Sequence, residues 1–284
     1  MKGINMTENI SINNMTKEEL VEKINELNGK IKLQEDFLLN ISHDLRSPIN
    51  VILSILQCFK YTKSEDKKEE YNEIIKRNSL KIIKLIDNLI DTTKLENQYY
   101  ELNKKNIDIV CVVENIVDSI EKYSQCKNIQ MVFDTNVEEC VVAADPNAID
   151  RIVMNLLSNA IKFAPSNSDI LVNIIKNNNT VNISVEDHGP GIPKVEQELI
   201  FNRFKQSTLN KENEYKGSGI GLDLVHYLTR LHNGDVKLES IEGKGSKFTV
   251  SLPITLVDGK KNYNDLFKRD KVEMLEIEFS DIYL

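Results

Sequence analysis

No tryptophan occurs in this 284-residue sequence, and cysteine and histidine occur only four times each. The cysteines (Cys58, Cys111, Cys126, Cys140) form no C-x-x-C pair and have no histidine at metal-ligand spacing, which excludes a zinc module and a disulfide scaffold. They read as reduced thiols, so a cytoplasmic location is expected. Long apolar runs are also missing, so no membrane span is expected, and "MKGINMTENISINNMTKEEL" has no apolar stretch of the secretory kind. A basic excess is missing too. The net charge of −8 argues against nucleic acid as the main partner. What remains, 40% hydrophobic and 28% charged residues, describes a globular chain with material for a core.

The first third carries helical periodicity. A 4-3-4-3 spacing from Leu20 selects Ile24, Leu27, Ile31, Gln34, Leu38, Ile41, Leu45, Pro48, Ile52, Ile55 and Phe59, a coiled-coil seam that widens into a bundle. Thr16 and Glu19 form a capping-box pair at its start. "YTKSEDKKEE" interrupts the pattern, and Ser64 can cap a second helix with its own stripe of Tyr71, Ile75, Ile82, Leu85 and Leu89. One such hairpin covers its apolar face poorly. Two copies in a four-helix bundle cover it well, so a homodimer is expected; packing on the rest of the chain is the alternative.

His43 lies between seam positions Ile41 and Leu45, about 200° round the helix from each, and so faces away from the seam. A lone surface histidine is usually filler. This one has Asp44 beside it, Arg46 and Ser47 following, and Pro48, which removes a helix donor and crowds the carbonyl of Asp44. That combination points to chemistry.

After the polar stretch "ENQYYELNKKN" the pattern changes to short apolar strands at 129–133, 141–144, 170–175, 181–185, 236–238 and 248–252. Helical stretches at 109–126, 146–163 and 219–232 separate some of them. An α/β sandwich follows, with helices on one face of a mixed sheet. Asp145-Pro146 is a cap followed by proline at the first helical position. Asn155, Asn159 and Lys162 then share one helix face at i, i+4 and i+7. Two amides and an ammonium suit a divalent cation with phosphates, though a solvated polar stripe fits the spacing equally. In "VEDHGPGIP", Asp187 ends a strand, where its carboxylate can accept from an exocyclic amine, and Gly189 and Gly191 permit a sharp turn. An ordinary glycine turn is the alternative. "KGSGIGLDLVHYL" places Gly217, Gly219 and Gly221 at a helix start, an anion site that is neither a Walker A loop nor a Rossmann fingerprint. Between them, "FNRFKQSTLNKENEYK" begins with Phe201 and Phe204 and turns polar, as a lid requires.

Taken in order, "SHDLRSPI", "NLLSNAIKF", "DHGPGI", "FNRF" and "GSGIGL" resemble the H, N, first glycine, F and second glycine boxes of sensor histidine kinases, over about residues 17–253. The resemblance implies a fold of α plus α/β class: a helical hairpin forming a dimeric four-helix bundle, then an α/β sandwich of the gyrase, heat-shock-90 and MutL ATPase kind. It implies an N-terminal segment and coiled-coil start at 1–30, a dimerisation and phosphoacceptor domain at 31–98, an ATP-binding domain at 103–254 and an extension at 255–284. That extension, outside the resemblance, is expected as an added strand or a partner segment.

By the same resemblance His43 is the phosphoacceptor and Asp44 its general base. Asn155 and Asn159 help hold Mg²⁺, Lys162 lies near phosphate, and Phe163 packs against adenine. Asp187 recognises the adenine amine, and Gly189 and Gly191 shape its loop. Phe204 belongs to the F box, and Gly217, Gly219 and Gly221 border the phosphates. ATP and Mg²⁺ are the implied cofactors, and a response regulator receiver domain is the implied partner. Rival readings are an ATPase of the same superfamily and a dimeric scaffold that binds ATP. The former would carry a glutamate where this chain has Asn155, and an amide is a poor general base.

Overall fold

A computed structural model describes residues 16–96, 100–201, 221–258 and 270–282. They fall into two compact units, one ending at Ser47 and one beginning at Pro48. Among the described residues no helix is long and apolar enough to cross a membrane.

Helix α1, Lys17–Phe59, carries the heptad and runs unbroken through Pro48. Its start is the capping box: the Thr16 N–H donates to Glu19 Oε2 at 2.7 Å, and the Glu19 N–H to Thr16 Oγ1 at 3.3 Å. After a turn, α2 spans Glu65–Glu96 with Glu65 and Asp66 at its positive end. Phe59 against Tyr71, ring centroids 6.3 Å apart, packs the end of α1 on the start of α2. Much of the α1 stripe stays bare in the single chain, with Ile24, Leu27, Ile31 and Leu38 exposed; the α2 stripe of Tyr71, Ile75, Ile82, Leu85 and Leu89 is half-buried, while Ile83, Ile86 and Ile90 beside it are exposed.

The remaining elements are β1 (Lys105–Asp108), α3 (Ile109–Ser124), a 3₁₀ turn (Gln125–Lys127), β2 (Gln130–Thr135), β3 (Val141–Ala144), α4 (Pro146–Phe163), β4 (Asp169–Lys176), β5 (Thr180–Asp187), α5 (Gly221–Leu231), β6 (Asp235–Ile241), β7 (Gly245–Pro253) and α6 (Asp270–Glu278). The main sheet has the order β2-β4-β5-β7-β6; β2 and β4 run parallel and the other pairs antiparallel. One side of each central strand is apolar and buried: Ile170, Val172 and Ile174 on β4, Val181, Ile183 and Val185 on β5, Phe248, Val250 and Leu252 on β7. Helices α3, α4 and α5 bury their apolar faces against that side, the arrangement that the period-2 strands require.

Two differences from the sequence expectation stand out. Strand β1 lies at the edge of what reads as a linker; four residues give no alternation to recognise, and pairing with β3 makes the strand. The C-terminal extension forms a helix, not a strand. Glu273, Glu276 and Glu278 among apolar residues mimic alternation, but the buried set is Leu275, Phe279 and Ile282 at i, i+4 and i+7. These three join the core of the α/β domain, and Phe279 stacks on Tyr123 of α3 with centroids 4.7 Å apart. Each such side chain contributes about 1.5–3 kcal/mol on full burial, which suffices to seat a short helix.

Candidate functional site

Helix α4 is aimed by its cap. Asp145 Oδ1 accepts from the Asn147 N–H at 2.9 Å, and Pro146 occupies the first helical position. Asp145 is fixed in turn: its N–H donates to His232 Nε2 at 3.0 Å and its Oδ2 accepts from the Asn103 N–H. His232 Nδ1 lies 2.8 Å from the Leu228 carbonyl, so the ring is neutral, with its proton on Nδ1. Burial lowers its pKa accordingly. At the other end of α4, the Lys127 ammonium donates to the carbonyls of Ile161 and Lys162, completing the C-terminal turn.

Two segments close on this helix. The loop after β5 closes so tightly on its end that a Cβ on Gly189 would lie 2.8 Å from the Phe163 carbonyl oxygen. Gly191 takes φ +68°, and a Cβ there would lie 2.1 Å from the Ile241 carbonyl oxygen, so the turn admits only glycine. At the start of α5, a Cβ on Gly221 would lie 2.4 Å from Asn155 Oδ1. Asn155 Nδ2 donates to the Arg151 carbonyl at 2.9 Å, which turns Oδ1 toward that glycine. Asn159 and Phe163 continue the same helix and are half-buried. Phe201, by contrast, packs edge-on to Phe248 at 6.3 Å, a core contact. Phe204, Gly217 and Gly219 lie outside the described residues.

Asp187 is the electrostatic centre of the loop. It is 8% exposed, and burial pushes its pKa up to about 6 against the Gly189 and Ser246 backbone donors, which pull it down. The Gly189 N–H donates to its Oδ1 at 2.8 Å. With the two backbone donors in place, this buried carboxylate at a strand end still has lone pairs that can accept from a further donor.

Lys162 sits elsewhere than a bare phosphate hook. Its ammonium is buried and lies 3.1 Å from Asp281 Oδ2, just past the end of α6. The same oxygen is 3.0 Å from the ammonium of Lys84 on α2. Lys84 also lies 3.3 Å from Glu278 Oε1 and donates to the Glu278 carbonyl. Burial works against the Asp281 charge, but Lys84 and Lys162 outweigh it and hold this carboxyl well below its ordinary range. Burial, with Lys84 nearby, pulls Lys162 down. Arg151, one turn before Asn155, pairs with buried Asp91 of α2 at 2.5 Å. Sequence spacing signals none of these partners, because the pairs are 60 to nearly 200 residues apart.

His43 lies in the first unit, on the exposed side of α1. Its side chain is 81% exposed, with Nδ1 3.6 Å from Asp44 Oδ1. That is ion-pair range, slightly longer than a hydrogen bond.

Residues 33–98 match the family described as His Kinase A (phospho-acceptor) domain, and residues 144–256 match the Histidine kinase-, DNA gyrase B-, and HSP90-like ATPase family. The chain belongs to the histidine kinase family. Among curated histidine kinases, YclK of Bacillus subtilis is 28% identical over 244 residues, covering 85% of this chain and 51% of its own. In fold the chain resembles histidine kinase AdeS of Acinetobacter baumannii, with a TM-score of 0.57 at 21% identity over 75% of this chain and 98% of that one. It also resembles full-length ShkA solved in complex with AMPPNP, with a TM-score of 0.60 at 21% identity over 79% of this chain and 47% of that one. The chain spans about half of YclK and less of the other relatives it matches, down to 10% of histidine protein kinase 1 of Candida albicans. The ATP-binding family domain contains Asn155, Asn159, Lys162, Asp187 and the described glycines, and the phospho-acceptor domain contains His43.

Proposed function

We propose that this chain is an ATP-dependent protein-histidine kinase that phosphorylates its own His43 as a homodimer and passes the phosphoryl group to an aspartate of a response regulator. The observation that carries the reading is an imidazole 81% exposed, flanked by a carboxylate, on the helix that matches the phospho-acceptor family.

The residues have complementary tasks. Asp187 accepts from the exocyclic amine of adenine, beside the Gly189–Gly191 turn that lets the base approach backbone. Phe163 offers a ring to the same base. The α5 N-terminus at Gly221 presents backbone donors to phosphate oxygens. Asn155 and Asn159 supply hard amide oxygens one turn apart, and the Cβ-free space at Gly221 lies directly against Asn155 Oδ1. That donor set fits Mg²⁺, which takes oxygen ligands and retains waters. When bound, the ion neutralises charge on the phosphates.

At the acceptor, Asp44 takes the Nδ1 proton and fixes the tautomer, leaving the Nε2 lone pair for the γ-phosphorus. The Nε2–P bond forms as the bond from phosphorus to the β-γ bridging oxygen of ATP breaks, and ADP leaves. An amide at Asn155 is a poor base for water, which favours transfer to histidine over hydrolysis. The exposed Ile24, Leu27, Ile31 and Leu38 stripe supports the homodimer, because two such stripes cover each other. Incubation with γ-labelled ATP and Mg²⁺ tests the reading. Acid-labile, alkali-stable label that disappears in His43→Gln supports it; label retained in that variant moves the acceptor elsewhere.

A further inference from the structure

Residues 270–282 lie beyond both matched families, yet their charges are spent on two family elements at once. Asp281 shares one carboxylate oxygen between Lys84 of α2 and Lys162 of α4, at 3.0 and 3.1 Å. Glu276 adds a contact to Lys76 of α2 at 3.1 Å, and Phe279 anchors the segment on Tyr123. Lys162 is also the ammonium that shares a helix face with Asn155 and Asn159, the set that the sequence reading assigns to a cation with phosphates. An ammonium 8% exposed and ion-paired is not available to a second anion until the first gives way.

We infer that the C-terminal segment is a cis-acting latch, in which Asp281 is an internal anion that competes with nucleotide phosphate for Lys162 while Lys84 and Lys76 tie the same segment to the hairpin. The inference rests on the ATP-site reading above. Competition is reciprocal: a docked segment weakens nucleotide binding, and nucleotide weakens docking by the same factor. The segment thus links nucleotide occupancy to the contact between hairpin helix α2 and the ATP-binding domain, a contact that α6 helps to make. Charge balance fits a latch that opens. Two ammoniums face two carboxylates while it is shut, and a phosphate replaces the departing Asp281 at Lys162.

The full chain tests this with Mg²⁺-ADP as the probe. In Asp281→Asn the dissociation constant is expected to fall about tenfold, within the usual range of such couplings. Phe279→Ala, which loosens the segment while leaving every charge in place, is expected to shift it the same way. In a Lys162→Met background Asp281→Asn is expected to have no effect, which a merely structural Asp281 would not produce. Hydrogen exchange of residues 270–282 in the unaltered chain is expected to quicken when ADP is added, and this holds the test open should Asp281→Asn fail to fold. Exchange that is unchanged or slowed by bound ADP overturns the latch and leaves the ATP site standing, as does an Asp281→Asn effect of equal size with Met at 162. Absence of ADP binding in the unaltered chain and in both single variants overturns the ATP-site reading, and the latch with it.

Discussion

Asp187 separates folding from binding at a single carboxyl. Its pKa in the folded chain is about 6, against an ordinary value of 3.8. A raised pKa means that the folded state holds its proton more tightly than the unfolded one. The stabilisation is therefore full below pH 3.8 and is lost as pH rises through about 6. At neutral pH the buried charge costs about 1–3 kcal/mol. Asp187→Asn is expected to unfold at the same or higher urea concentration at pH 7.5, yet to bind ADP at least tenfold more weakly, as titration calorimetry can measure. For the same reason nucleotide affinity should fall as pH drops below about 6, where the carboxylate gains a proton. His232 works in the opposite sense. Burial lowers its pKa below the usual 6.5, so stability is whole above that pH and declines as pH falls below it. His232→Gln should flatten the decline in urea melts between pH 7 and pH 5.

At the scale of elements, α4 organises the site, and what holds it comes from four other places: Asp145 with His232 at one end, Lys127 at the other, Asp91 from α2 and Asp281 from the C-terminal segment. Arg151 is partly buried, and losing its partner leaves a desolvated guanidinium. Asp91→Ala should therefore lower the stability of the α/β domain by about 1–3 kcal/mol in urea unfolding, less than a fully buried pair would cost. The helix itself is legible in the sequence, since cap, proline and apolar spacing agree from Asp145 to Phe163. So are the strands with clean alternation, such as Ile170 to Ile174. Strand β1 is not, because four residues carry no period, and of the two readings of the C-terminal extension, added strand or partner segment, the strand fails because Asp270–Glu278 is helical. The shared-face rule brings Asn155, Asn159 and Lys162 together from spacing alone. That Lys162 has an internal anion is invisible from spacing, since Asp281 lies 119 residues away.

For the whole molecule, the hairpin and the α/β domain carry separate halves of one proposed reaction, acceptor and donor. The proposed homodimer draws on the bare stripe of α1: if two such stripes pair, Ile24→Glu combined with Leu38→Glu should shift the chain from dimer to monomer in sedimentation equilibrium, with the circular dichroism of the α/β domain unchanged. The His43 reading was available from sequence because a histidine off the seam, next to a carboxylate and ahead of a proline, has no packing reason to be there. Its exposure in the structure agrees with that placement. The most direct measurement of the central claim is phosphoryl transfer itself, with γ-labelled ATP and Mg²⁺ on the full chain and on His43→Gln. Label on the unaltered chain that acid removes and alkali spares, with a loss of at least a hundredfold in the variant, is the expected result; steady release of inorganic phosphate with no labelled protein would contradict it.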